Sequence, residues 1–191
     1  VIGDTAYIAV SNSFEWGNYV GKIGIIDLNA QTYKAEIDLG TNGTNPDNMM
    51  IDGTNIYTLN NEDWSGSSVT ILNTITKDTY TTSVAGSGGC GSSAYAANHV
   101  YYMEYNVGKV ARFNVNSKNI VDTLQNTLAF YGMTTDEVNN IIYATTTDYS
   151  TSGKAYIMQY NGMLTDSFDV GISAGTIAMD VRNVVGVDES P

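Results

Sequence analysis

A unit of roughly 45 residues recurs along the chain and constrains the fold more than any other feature of the sequence. Each copy reads as four strand-length runs separated by turns, with a tyrosine in one strand and a glycine opening the next. These landmarks fall at Tyr7, Tyr57, Tyr101 and Tyr143 and at Gly21, Gly66, Gly108 and Gly153. The period is typical of propeller blades, and a helical unit would not keep strand-length runs between the landmarks. The sequence therefore predicts an all-β fold, a β-propeller with four visible four-stranded blades.

The cleanest copy spans residues 137–180 and shows how one unit follows another. Its strands are predicted at 141–144, 155–160 and 164–170, and Asn161 followed by Gly162 is a strong signal for a tight turn between the last two. A strand of small residues at 176–179 then ends at Asp180. The copies divide a single domain into repeats at 1–47, 48–91, 92–129 and 130–174, with a closing strand at 175–180.

The predicted closing strand leaves two arrangements of the ring open. Residues 176–179 can complete the blade that strand 6–10 begins, which would hide both sheet edges in a closed ring of four blades. Alternatively, the chain is a part of a larger, seven-bladed propeller. We favour the larger ring, because repeats of this kind usually belong to wider rings.

Composition narrows the classes of partner. The 191 residues carry 20 acidic and 8 basic side chains, so the formal net charge is −12. Such a surface repels phosphate backbones and anionic lipid, which argues against nucleic acid and polybasic membrane docking. The sequence contains no apolar run long enough to cross a bilayer, so we expect no transmembrane segment. Cys90 is the only cysteine, so no disulfide can form within the chain.

The repeated pattern resembles a known family. Residues 21–27 (GKIGIID) and 34–40 (KAEIDLG) look like an ordinary blade of the YncE-like β-propellers, and residues 153–157 (GKAYI) with 168–175 (FDVGISAG) resemble the last blade of that family. These seven-bladed propellers occur as bacterial surface lipoproteins. The resemblance implies an exported protein at the cell surface or outer membrane, with any signal peptide or lipid anchor upstream. It also implies capture of a small molecule, cobalamin or an oligosaccharide, for an outer-membrane transporter.

The sharpest functional pattern is an acidic residue followed by an aromatic residue in each loop between the second and third strands of a blade. Loops of this class gather at one end of a propeller, where rings can stack on a ligand and carboxylates can accept its hydrogen bonds. The predicted ligand-binding residues are Glu15, Trp16, Asn18, Tyr19, Asp63, Trp64, Glu104, Tyr105, Asp148 and Tyr149. The alternative is structural: the acid caps its loop and the aromatic ring covers the end of the blade. Residues of the loops before each first strand are further candidates, namely Asn45, Asp47, Cys90 and Tyr131.

Metal and cofactor chemistry have weaker support. Asp52, Asp136 and Asp180 recur at the ends of small-residue strands, but each precedes a turn where an aspartate bonds local backbone amides. His99 is the only histidine and has no nucleophile motif beside it. We therefore predict no metal site, no cofactor and no catalytic residue.

Binding without catalysis is the function that these patterns favour. A glycan-active hydrolase is one alternative, because two carboxylates can hydrolyse a glycoside. Its catalytic pair needs one acid with a raised pKa and one with a lowered pKa, and the repeated acids show no such asymmetry. The other alternative is a structural propeller whose open ends pair with another protein chain.

Overall fold

A computed structural model describes residues 1–12, 14–62, 66–84, 92–104, 107–125 and 128–180. These residues form fifteen strands in four antiparallel sheets and contain no helix, which confirms the all-β prediction. Accordingly, no membrane-spanning helix occurs in this part of the chain.

Each sheet is a meander in which strands pair in chain order. Blade 1 contains β1 (Thr5–Ser11), β2 (Gly21–Asp27) and β3 (Thr32–Asp38). Blade 2 contains β4 (Pro46–Asp52), β5 (Asn55–Asn60), β6 (Ser67–Asn73) and β7 (Thr79–Val84). Blade 3 contains β8 (Ser93–Ala96), β9 (His99–Glu104), β10 (Lys109–Asn114) and β11 (Asn119–Thr123). Blade 4 contains β12 (Gly132–Asp136), β13 (Ile141–Thr145), β14 (Lys154–Gln159) and β15 (Leu164–Asp169).

Blade 1 departs from the prediction, because it has three strands instead of four. The closing strand predicted at 175–180 is wrong: those residues belong to no strand. A strand exists only where a neighbour satisfies its backbone groups. Residues 175–177 instead line a cavity with the innermost strands of blades 2, 3 and 4.

Apolar side chains pack between neighbouring blades. Successive residues of a strand point to opposite faces, so one strand serves two cores. Tyr101 packs towards Ile142 of blade 4, whereas Tyr102 packs towards Leu59 of blade 2. The core between blades 1 and 2 is smaller and is built around Ile23. Burying a large apolar side chain stabilises the fold by about 1.5 to 3 kcal/mol. The cores between blades therefore contribute most of the free energy that holds the blades together.

The innermost strands β4, β8 and β12 stand next to one another and line a shared channel. Tyr95 of β8 stacks on Tyr57 of β5 with ring centroids 4.6 Å apart. The hydroxyl of Tyr95 donates to Asp52 Oδ2 at 2.6 Å, and Thr135 Oγ1 donates to the carbonyl of Tyr95 at 2.7 Å. These contacts join blades 2, 3 and 4 beside the channel.

Candidate binding face

Loops of two kinds meet at one end of the blades, which we call the loop face. They are the loops between the second and third strands, and the crossovers that enter β4, β8 and β12. Backbone hydrogen bonds join them: Asn45 N donates to Val20 O at 2.9 Å, and Asn61 N donates to Asn45 O at 2.9 Å. In blade 4, Tyr131 N donates to Thr145 O at 2.7 Å. The described members of the predicted acid and aromatic pairs, Glu15, Trp16, Glu104, Asp148 and Tyr149, therefore lie in or beside the loops that form this end.

The loop of blade 1 is organised by Glu15. Its Oε2 atom accepts hydrogen bonds from Asn18 Nδ2 at 3.1 Å and Asn12 Nδ2 at 3.3 Å. Trp16 is 85% exposed and meets the ring of Tyr19 edge to face, with centroids 6.4 Å apart. The carboxylate thus holds the loop together while the indole face points to solvent.

Asp148 has a comparable structural role in blade 4. Its carboxylate accepts hydrogen bonds from Thr151 Oγ1 at 2.7 Å and from the backbone nitrogens of Thr151 and Ser150 at 2.7 and 2.9 Å. These bonds, led by that of the Thr151 hydroxyl, hold the pKa of Asp148 well below its usual range. The next residue, Tyr149, is 63% exposed and meets Tyr131 edge to face, with centroids 5.4 Å apart.

The pairs of blades 2 and 3 are described only in part. Glu104 ends β9, and its Oε1 atom accepts a long hydrogen bond of 3.4 Å from the Tyr102 hydroxyl. Asp63, Trp64 and Tyr105 lie outside the described residues, as does Cys90, and their proposed roles stay predictions.

The predicted residues that the structure describes form separate groups instead of one pocket. Tyr19 lines two surface cavities of about 470 and 310 Å³, in which Thr41 and Thr44 also take part. Neither cavity is lined by Glu104, Asp148 or Tyr149. Any ligand that contacts both exposed aromatic groups must therefore lie across the loop face.

A polar network under the loop face supports the crossover from blade 1 to blade 2. Asn60 Nδ2 donates to Ser68 Oγ at 2.9 Å and to Thr70 Oγ1 at 2.8 Å. The Ser68 hydroxyl in turn donates to the carbonyl of Asn42. All three side chains are buried, so the bonds compensate the cost of removing them from water and fix the crossover in place.

The channel was not predicted as a site. Its cavity of about 350 Å³ is lined by residues 48–51, 93–95 and 133–135, with Glu137 and residues 175–177. A cavity of about 220 Å³ at the loop face shares Asn48 and Met133 with it and adds Asp47 and Tyr131. Desolvation by the surrounding protein raises the pKa of the Asp47 carboxyl group, although the residue is exposed.

Ser93 gives the channel wall one unusual group. The residue is 7% exposed, and its Oγ atom is buried without a hydrogen-bond partner. Sequence reasoning missed it because a serine in a small-residue strand gives no signal of its own. The only available signal was the alignment of that strand with the small-residue strands of the other repeats.

Three of the residues considered for metal or catalysis, Asp52, Asp136 and His99, form hydrogen bonds with other parts of the chain. Asp136 accepts hydrogen bonds from Asn139 N at 3.1 Å and Asn139 Nδ2 at 2.8 Å, which confirms its predicted role in the local turn. Asp52 differs, because its carboxylate bonds the Tyr95 hydroxyl of the next blade. His99 begins β9, and its ring nitrogens contact the carbonyl of Ala97 and the amide of Asn114. Among the described residues, no group of three His, Cys, Asp or Glu side chains could hold a metal ion.

Comparisons with known proteins identify the fold. No family model matches the chain, and no curated protein matches it in sequence. A chain in the crystal structure of a nidogen/laminin complex is similar, with a TM-score of 0.64, 14% identity, and coverage of 87% of this chain and 59% of that chain. The Pan2 WD40 domain of Neurospora crassa gives a TM-score of 0.62, 11% identity, and coverage of 85% and 46%. BamB from Moraxella catarrhalis gives a TM-score of 0.56 and 13% identity, with coverage of 85% of this chain and 45% of that chain.

These similarities show a β-propeller fold and, at such low identity, the fold alone. The chain spans about half the length of the solved chains that it matches.

Proposed function

We propose that this propeller is a non-catalytic binding module that captures a small, ring-bearing ligand on its loop face. One observation carries the proposal: Trp16 and Tyr149 are 85% and 63% exposed in loops of the same class. Each ring is braced edge to face by a second tyrosine, Tyr19 or Tyr131. A braced, exposed aromatic face loses little side-chain freedom when it stacks on a ligand ring, so more of the stacking energy contributes to affinity.

An oligosaccharide fits this arrangement best. A chain of hydroxylated rings can lie across separate aromatic groups, whereas a compact ligand needs one deep pocket. The carboxylate of Glu15 and the amide of Asn18 adjoin the exposed indole and can bond sugar hydroxyls. Cobalamin is the second ligand to test, on the strength of the resemblance to YncE-like surface lipoproteins. On the same basis, we propose an exported protein that acts at the cell surface with an outer-membrane transporter.

Calorimetric titration with a panel of oligosaccharides and with cobalamin tests this proposal. Trp16→Ala and Tyr149→Ala should each weaken the ligand by about 1 to 3 kcal/mol while the sheets stay intact, and the same is expected of Trp64→Ala. Phe14→Ala is the matched control, because Phe14 is 98% exposed in the same loop as Trp16. The proposal is contradicted if no ligand of the panel binds, or if the three aromatic variants bind as tightly as the parent protein.

The same samples also test the alternative that the protein is a glycan-active hydrolase. Chromatography of the oligosaccharides after prolonged incubation would reveal shortened products. Turnover that is lost in Glu15→Gln or Asp148→Asn would assign the loop-face acids to catalysis and overturn the non-catalytic proposal.

A further inference from the structure

The outer strand of blade 2 differs from the other outer strands in how its unpaired edge is protected. Each blade ends in a strand with one unpaired edge, which is β3, β7, β11 or β15. Such an edge is a row of N–H and C=O groups that can pair with another extended chain, and proteins protect it with charged side chains and β-bulges. Blade 2 packs against blade 1 on one side and blade 3 on the other, so the surroundings of β7 are those of an internal blade.

Three of the four outer strands carry both kinds of protection. A bulge interrupts the pairing of β3, β11 and β15 with their neighbours, at Lys34, Val121 and Thr165. The same strands carry charged side chains, namely Lys34, Glu36 and Asp38 in β3, Asp122 in β11, and Asp166 and Asp169 in β15. The sequence of β7 (TYTTSV) has no charged residue, and all of it pairs with β6 without a shift in register. Its outer edge therefore lacks both kinds of protection.

Strand pairing identifies the backbone groups that β7 offers. Asn73 N donates to Asp78 O at 3.0 Å, so these two residues form a hydrogen-bonded pair. Because hydrogen-bonded and non-hydrogen-bonded pairs alternate along an antiparallel ladder, the next pair along the two strands is a non-hydrogen-bonded one. Every second residue of β7 from that point directs its N–H and C=O groups away from β6, namely Thr79, Thr81 and Ser83. Among the described residues, none of these three makes a backbone hydrogen bond outside the sheet.

Two carboxylates flank this edge on the side of blade 1. Asp38 and Thr79 line the same cavity, and Glu62 Oε1 accepts a hydrogen bond of 3.5 Å from Ser83 Oγ. Thr79 and Ser83 are both exposed, and their even spacing along the strand puts their side chains on the same face of the sheet. A chain paired with β7 would therefore pass a carboxylate near each end of the strand.

The opposite face of β7 carries a positive charge. Lys118 of blade 3 has its Nζ atom 4.1 Å from the centre of the Tyr80 ring, and the Tyr80 hydroxyl accepts a hydrogen bond of 2.8 Å from Thr82 Oγ1. Tyr80 and Thr82 alternate with the residues that face blade 1. Basic side chains of a paired chain would thus be attracted on the face towards blade 1 and repelled by Lys118 on the other face.

We propose that an extended segment of a partner protein pairs with the outer edge of β7, and that this segment carries two basic residues four positions apart. Backbone hydrogen bonds to Thr79, Thr81 and Ser83 supply affinity, and the alternating side chains supply specificity. The two basic residues lie opposite Thr79 and Ser83, where they meet the carboxylates of Asp38 and Glu62. The formal net charge of −12 on the chain favours the approach of such a segment.

A second copy of β7 is a poorer occupant of this edge. Thr81 is the middle one of the three residues that face outwards, so twofold pairing of two copies would place Thr79 of one copy opposite Ser83 of the other. The Asp38 carboxylate of one copy would then lie beside the Glu62 carboxylate of the other, on the same face of the joined sheet. Like charges opposite each other destabilise a strand pair, so the charge pattern favours a basic partner.

Calorimetric titration of the 191-residue protein with short synthetic peptides tests the proposal. The probe is acetyl-TKTVTKT-amide, whose lysines have the proposed spacing. Acetyl-TETVTET-amide reverses the charges, and acetyl-TKTPTKT-amide removes the central backbone donor. We expect the probe to bind at one site per chain and each control peptide to bind at least about tenfold more weakly. Bound probe should also protect the backbone amides of Thr79, Thr81 and Ser83 from hydrogen exchange, which a diffuse electrostatic contact would not do.

Variants of the protein separate pairing along the edge from folding. Ser83→Pro removes one outward N–H group and should weaken the probe by about tenfold. This N–H group points away from β6, so the circular dichroism spectrum should not change. Ser83→Ala is the matched control, because it loses the same hydroxyl and keeps the N–H group, and it should bind the probe like the parent protein. Asp38→Asn and Glu62→Gln should each weaken the probe by about two- to fivefold, the range expected for exposed ion pairs.

Several results would overturn the proposal. The probe may fail to bind at any soluble concentration, all three peptides may bind alike, or Ser83→Pro may bind the probe as tightly as the parent protein does. A parent protein that dimerises without peptide, and becomes monomeric in Ser83→Pro, would assign the edge of β7 to a second copy and would likewise overturn the proposal of a basic partner.

Discussion

Tyr95 offers the most direct test of the packing around the channel. Its ring stacks on Tyr57, and its hydroxyl donates a 2.6 Å hydrogen bond to Asp52 of the neighbouring blade. Tyr95→Phe keeps the stacked ring and removes only the hydroxyl. A hydrogen bond to a charged group contributes about 1.5 to 3 kcal/mol. Because Asp52 is exposed and water can replace the lost donor, we expect the lower end, about 1.5 kcal/mol.

Urea unfolding followed by circular dichroism measures this loss, which corresponds to a fall in Tm of about 3 to 6 °C for a domain of this size. A double-mutant cycle with Asp52→Ala should return a coupling energy of about 1 kcal/mol or more. Tyr102→Phe is the matched control: this tyrosine is fully buried, but its bond to Glu104 is 3.4 Å long, so the loss should be smaller. An unchanged free energy of unfolding in Tyr95→Phe would refute the claim that this bond stabilises adjacent blades.

Two further predictions concern the start of β2 and the entry to blade 2. Gly21→Ala should destabilise the protein by about 3 kcal/mol or more, because the new Cβ atom would lie 1.7 Å from the carbonyl oxygen of Gly43. Gly171→Ala is the control, because no atom lies within 4 Å of its Cβ position. It should change the unfolding free energy by less than about 0.5 kcal/mol. Asp47→Asn should stabilise the protein at neutral pH. Desolvation by the surrounding protein raises the pKa of this carboxyl, so its ionisation opposes folding above the unfolded-state pKa. Because the residue is exposed, the gain should be small, and it should vanish as pH falls below about 3.9. Urea titrations at neutral and acidic pH would decide this, and a gain that persists in acid would contradict the assigned cause.

The strands were predictable from the sequence because their signals are local. β13 (Ile141–Thr145), β14 (Lys154–Gln159) and β15 (Leu164–Asp169) lie within one residue of the runs predicted at 141–144, 155–160 and 164–170. Alternating apolar residues and turn residues determine such segments without reference to distant parts of the chain. The order of the strands within each sheet follows from the short connections between them.

The arrangement of the candidate site was harder to predict from the sequence than the strands were. The acid and aromatic pattern pointed to the loops between the second and third strands, but it could not distinguish a carboxylate that binds a ligand from one that caps a loop. In blades 1 and 4, Glu15 and Asp148 accept hydrogen bonds from their own loops. That distinction depends on which donors lie within about 3 Å, and loop conformation decides it. The buried hydroxyl of Ser93 could likewise be recognised only after three strands had been placed around the channel.

The sequence by itself determined the blade, because a blade is held by pairings between segments that follow one another in the chain. Whether the row of blades closes was decided only in three dimensions, since closure depends on the angle between packed sheets. Small differences in side-chain volume between blades change that angle and leave no periodic trace in the sequence. For the same reason, residues 176–179 have the pattern of a strand and yet remain outside every sheet of the described structure.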